Sequence, residues 1–125
     1  CMRGIDPLRK GSLTNPYREP MGMTKEEGRD WKVELETRVN RYRNVTQSAL
    51  QKVEIAAPPN TKEHTIAMDY LTMANNYFND ALHFQEQGEL TLALAAFSYA
   101  HAWMDAGVRA GILNGKEDDR LFTLP

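Results

Sequence analysis

His101, Asp105 and Arg109 recur at i, i+4 steps, which sets an imidazole, a carboxylate and a guanidinium on one face of a helix. In a binding site, Asp105 would orient the imidazole and Arg109 would hold an anionic ligand. The same spacing also suits a plain Asp105–Arg109 ion pair of about 0.2–0.5 kcal/mol, with His101 hydrogen-bonded inside a helical bundle to Asn75 or Asn76. An imidazole buried without a partner costs about 1–3 kcal/mol, and the packing reading is the favoured one.

Asp80 and His83 have the i, i+3 spacing of carboxylate–histidine metal motifs in bundles. A two-metal site needs that motif on two helices plus further glutamates, whereas the second helix here supplies only His101-x-x-x-Asp105, about one turn out of step. No metal and no cofactor are therefore expected. His83 near a helix end is accounted for by the helix dipole, which favours a cation there. No nucleophilic site is supported either: Ser98 has no histidine at a plausible local spacing, the single cysteine is Cys1, and no Gly-rich phosphate loop is present. No catalytic residue is assigned; enzyme status stays open, with the non-enzymatic reading favoured.

The aromatic set Tyr70, Tyr77, Phe78, Phe84, Phe97, Tyr99 and Trp103 falls at helical spacing and reads mainly as core. Tyr99 and Trp103 differ, being four apart and flanked by alanines; they are expected to project as an exposed anchor of the kind enriched at interfaces. The candidate binding set is Asn76, Tyr77, Asp80, Tyr99, His101, Trp103, Asp105 and Arg109.

Three helices would carry these residues. Thr24 followed by Glu27 has capping-box spacing, and Leu35, Val39, Tyr42, Thr46, Ala49 and Val53 form one seam on a long first helix stopped by Pro58 and Pro59. Lys32, Glu34, Glu36, Arg38, Arg41 and Arg43 make its solvated face. Asn60 followed by Glu63 is a second capping box, opening a helix with the seam Ala67, Tyr70, Ala74, Tyr77, Ala81 and Phe84. Gly88 sits where a left-handed C-terminal residue is required.

A third helix runs from about Glu89 to Ile112 with two stripes. One is Leu90, Leu94, Phe97, His101, Met104 and Val108. The other is Ala93, Ala96, Ala100, Trp103, Gly107 and Ala110, small enough to admit a close neighbour. A turn near 87–89 makes opposed positions sum to about 176 across the hairpin, setting Asp105 near Tyr70 and Leu71 and Asp80 near Ala96. No strand pattern is found. The architecture is all-α, an up-down-up three-helix bundle with a disordered or irregular N-terminal extension.

The run from Tyr70 to Gly111, with YFNDALHF, the Gly88 turn and SYAHAWMDAGVRAGIL, resembles the archaeal family catalogued as domain of unknown function 357. The resemblance extends over residues 24–125, including RVNRYRNV and the terminal LFTLP. It implies a small three-helix fold and brings no catalytic residues, substrate or cofactor. A single tetratricopeptide-like hairpin is a weaker likeness, since no 34-residue repeat is present.

Size and charge bound the rest. The 125 residues allow one domain, and 42% apolar with 26% charged residues is ordinary for a globular protein. Residues 1–22 hold four basic and two acidic groups, leaving the remainder at −4 within a formal net charge of −2, a balance that argues against binding nucleic acid. No apolar run approaches the roughly 20 residues of a membrane helix. Residues 1–22, rich in Gly and Pro, read as a flexible leader or vector-derived extension, and residues 23–125 as a single bundle domain. The functional expectation is a cytoplasmic, non-enzymatic module that binds a protein partner or a second copy of itself as a homodimer, with no membrane or nucleic-acid role. The alternative is a small-molecule or metal-binding protein with a polar site around His101, Asp105 and Arg109.

Overall fold

The computed structural model describes residues 25–125, with side chains from residue 30 onward. The expected leader at 1–22 and the Thr24 cap lie outside the described residues. Three helices, α1 (Lys25–Lys52), α2 (Lys62–Glu86) and α3 (Leu90–Arg109), pack as an up-down-up bundle. Two strand fragments, β1 (Glu54–Ile55) and β2 (Leu113–Asn114), join antiparallel with Glu54 opposite Asn114 and Ile55 opposite Leu113.

That ladder corrects two expectations. Strand pairing does occur, if briefly, and α1 stops at Lys52, before the prolines. Its final bond runs from the Val53 amide to the Ala49 carbonyl. The next residues pair instead with the chain leaving α3, and the Ala56 amide extends the ladder to the Ile112 carbonyl at 2.9 Å. Tertiary pairing thus overrides helix continuation over Glu54 and Ile55.

The α2 cap also moves by one residue. Thr61, in extended backbone, accepts the His64 amide on its hydroxyl at 3.1 Å. Asn60 precedes the cap with φ 66°. At the other end Gly88 has φ 77°, the Glu89 amide reaches the Phe84 carbonyl, and the Gly88 amide reaches the Gln85 carbonyl. Those two bonds form a Schellman motif, which glycine permits because it has no Cβ to clash at positive φ. Leu90 opens α3 immediately afterwards, so the hairpin is tight.

The ring pairs between α2 and α3 are Tyr70–Trp103, Tyr77–Tyr99 and Phe78–Phe97, whose numbers total 173, 176 and 175. The hairpin register follows the expectation closely. Much of both α3 stripes is buried within the bundle: Phe97, His101 and Met104 are fully buried, as are Ala93 and Ala100, whereas Trp103 is partly buried and Ala110 exposed. Gly107 lets the returning chain cross α3, since a Cβ there would overlap Leu113. Beyond β2, residues 115–125 fold back over the open end of the bundle and place Phe122, 0% exposed, in one core with Ala49, Met104 and Val108.

Candidate functional site

Helix α3 offers chemistry on two faces. Toward α1 and the C-terminal segment, the His101 ring is fully buried. Its Nε2 lies 2.5 Å from the Leu121 carbonyl oxygen and its Nδ1 lies 3.2 Å from the Thr46 hydroxyl. A carbonyl can only accept, so Nε2 carries the proton and Nδ1 accepts from Thr46. Both nitrogens of a neutral imidazole are thereby satisfied. Burial pushes the His101 pKa below the ordinary histidine value, opposed in part by the Asp105 carboxylate and the Leu121 carbonyl.

One turn on, Asp105 accepts the Thr123 amide on Oδ1 at 2.9 Å. That oxygen is 3.8 Å from His101 Nε2, too long for a hydrogen bond. One further turn on, Arg109 donates to the Leu124 carbonyl at 2.8 Å. Three side chains at i, i+4 and i+8 meet backbone groups of Leu121, Thr123 and Leu124, in a segment whose start is a turn closed by the Phe122 amide on the Asp118 carbonyl. His101, Asp105 and Arg109 act together as a rail for that segment.

Asp118 anchors the start of that segment. Its carboxylate takes the Lys52 ammonium at 2.8 Å and the amides of Arg120 and Leu121 at 3.0 and 3.3 Å. Chiefly through the Lys52 bond, and against some burial, its pKa is lowered to about 2. Phe122 sits between the His101 ring, 6.3 Å away by centroids, and Gly115, whose missing side chain leaves room for it.

The register is right but the face differs for His101 and Asp105. His101 does not meet Asn75 or Asn76: both are exposed, and Asn75 bonds the Leu71 carbonyl one turn back. Asp105 meets Thr123 rather than Tyr70 and Leu71. Both residues project from α3 on the side away from its contact with Tyr70 and Tyr77. Asn76 and Asp80 lie exposed on α2, apart from the rail. Among the described residues no group of three or more His, Cys, Asp or Glu is placed to hold a metal ion.

The other face of α3 carries rings. Tyr77 and Tyr99 meet edge to face at 4.4 Å, Tyr70 and Trp103 at 5.1 Å, and Tyr99 and Trp103 at 6.1 Å. Tyr99 is 47% exposed, as anticipated for an anchor. Trp103 is not a free anchor: it is half-buried, and its indole N–H is buried without a hydrogen-bond partner among the described residues. Around Tyr99 the surface is apolar, with Leu92 at 48% exposure and Ala95, Ala102, Ala106 and Ala110 all exposed.

Sequence reasoning missed Lys52, Asp118, Leu121, Phe122 and Thr123, and took Thr46 only as a seam residue. The available signal was the polar Thr46 in an apolar seam, together with two leucines and a phenylalanine in the final five residues. A family model described as protein of unknown function (DUF357) matches residues 41–113. The chain belongs to that family. The DUF357 match contains Thr46, all three rail residues and the four rings of the opposite face. No curated protein and no solved structure matches the chain.

Proposed function

We propose that this DUF357 protein is a non-enzymatic interaction module, one bundle domain over 23–125, that presents the outer face of α3 to a protein partner or to a second copy. One observation carries the reading: Tyr99 and Leu92 stand about half exposed on one apolar face of α3, and Tyr99 lies beside Trp103, whose indole N–H has no partner among the described residues. An unsatisfied buried donor costs about 1–3 kcal/mol. Tyr99 is the exposed ring beside that indole, 6.1 Å away between centroids, and a partner docked over it would supply the N–H with an acceptor. Tyrosine and tryptophan are also the residues most enriched in interface hot spots.

The alternative polar site is less well supported, because His101, Asp105 and Arg109 are each engaged by residues 121–124. A cytoplasmic setting suits the reading: Cys1 is the one cysteine, and among the described residues no helix is long and apolar enough to cross a membrane. The net charge of −2 gives no reason to add nucleic acid as a partner.

Sedimentation of the full chain at rising concentration, combined with capture from a source-cell extract, tests the proposal. A complex that weakens with Tyr99→Lys while thermal unfolding is unchanged supports it. A chain that stays monomeric and captures nothing dependent on Tyr99 refutes it.

A further inference from the structure

We propose that the seat formed by Thr46, His101, Asp105 and Arg109 also accepts residues 118–124 of a second copy, so that two copies exchange C-terminal segments. The exchange goes beyond the outer-face reading and uses a different surface.

Three observations lead there. The rail recognises backbone: the Leu121 carbonyl, the Thr123 amide and the Leu124 carbonyl are its ligands, and Phe122 adds one fully buried side chain. Every one of these contacts, with the Lys52–Asp118 bond, re-forms identically when the segment comes from another copy. Two such exchanges close on a twofold axis, leaving no unfilled seat.

The second observation is the linker. Lys116 and Glu117 are consecutive non-glycine residues at φ 54° and 59°, a left-handed corner that side chains with a Cβ resist. The corner turns the chain back from β2 so that Asp118 reaches Lys52 of its own body. Opening the linker releases this strain at the loss of the Asp118 amide bond to the Gly115 carbonyl, and keeps the bonds between the seat and residues 118–124. Short strained hinges of this kind favour segment exchange.

The third is the division of anchors around that hinge. On one side, Leu113 pairs with Ile55 and packs on Gly107, which holds β2 to its own bundle. On the other, Asp118 to Leu124 carry the seat contacts as one unit. Gly115, which lies under Phe122, stays with its own bundle and receives the incoming ring, and residues 115–118, opened out, span roughly 10 Å, room for the segment to leave one body and enter its neighbour.

Deleting Lys116 and Glu117 from the full chain tests the proposal. Without the corner, the segment cannot return to its own seat and must dock on a partner copy. Light scattering after size exclusion is expected to show a doubled mass. Adding Phe122→Ala should restore the single-copy mass, and adding Tyr99→Lys should leave the dimer intact, which separates this contact from the outer face of α3. A shortened chain that stays monomeric, or a dimer indifferent to Phe122→Ala, overturns the proposal. Should the shortened chain fail to fold, the decision passes to the undeleted chain refolded at high concentration. There the parent is expected to give more dimer than the Lys116→Gly, Glu117→Gly double variant, whose corner is unstrained; no dimer from either, or equal dimer from both, overturns it.

Discussion

The two faces of α3 solve opposite problems with similar materials. On the inner face each polar side chain is engaged by the chain itself: the fully buried His101 through both nitrogens, the partly buried Asp105 by Thr123, and the exposed Arg109 by Leu124. On the outer face, the rings pack against one another edge to face, yet one donor is left over and Tyr99 stands half exposed. A polar group in a helix is not by itself a sign of a site. What matters is whether the molecule has already satisfied it, and here the aromatic face is the one with capacity to spare.

The sharpest way to break this contrast is to empty the inner face. Phe122→Ala removes a fully buried ring and is expected to cost about 3–5 kcal/mol, measured by denaturant unfolding. A loss below 1 kcal/mol would mean that the C-terminal segment contributes little to the core. His101→Ala comes next. It leaves the Leu121 carbonyl without its donor, and about 1–3 kcal/mol of destabilisation should follow.

Acid separates the two anchors of the segment. His101 has a folded pKa below its unfolded value, so as pH falls the unfolded chain takes up the proton first. Its contribution is complete above about pH 6.5 and is lost as pH falls from there toward the depressed folded value. His101→Gln should remove that slope. The Asp118 pKa is lowered to about 2, so its contribution is complete above about pH 4 and disappears between there and about pH 2. Asp118→Asn should flatten that second window and leave the first. A stability curve flat from pH 7 to pH 5 in the parent chain would contradict the buried neutral imidazole.

The outer face should respond least. Trp103→Phe keeps a ring and deletes the unpartnered N–H, so thermal unfolding is expected to shift by less than about 1 kcal/mol, on the stabilising side if at all. A clearly destabilising result would show that the packing of the indole outweighs any cost of its N–H.

Much of this arrangement was legible in the residues. Gly88 marked the turn, and the apolar spacing marked three helices, the register of the second and third being borne out by Tyr77–Tyr99 and Phe78–Phe97. Rotation was harder to read than register. The hairpin sum says how far along α2 a residue of α3 lies, but His101 is turned toward α1, and no spacing within α2 and α3 reveals that. The closing segment was hidden for another reason: LFTLP is too short to show a period, and its bonds are backbone atoms meeting side chains some twenty residues earlier. The shift of the α2 cap from Asn60 to Thr61 is the usual ambiguity of two adjacent capping residues.

The most direct test of the central claim is the amide hydrogen exchange of Thr123 in the full chain, since that N–H is held by Asp105. Strong protection that falls in Asp105→Ala and survives in Tyr99→Ala is the predicted result. A Thr123 amide that exchanges at the unfolded-chain rate in the parent would show the rail to be free, and would return His101, Asp105 and Arg109 to the list of ligand-binding candidates.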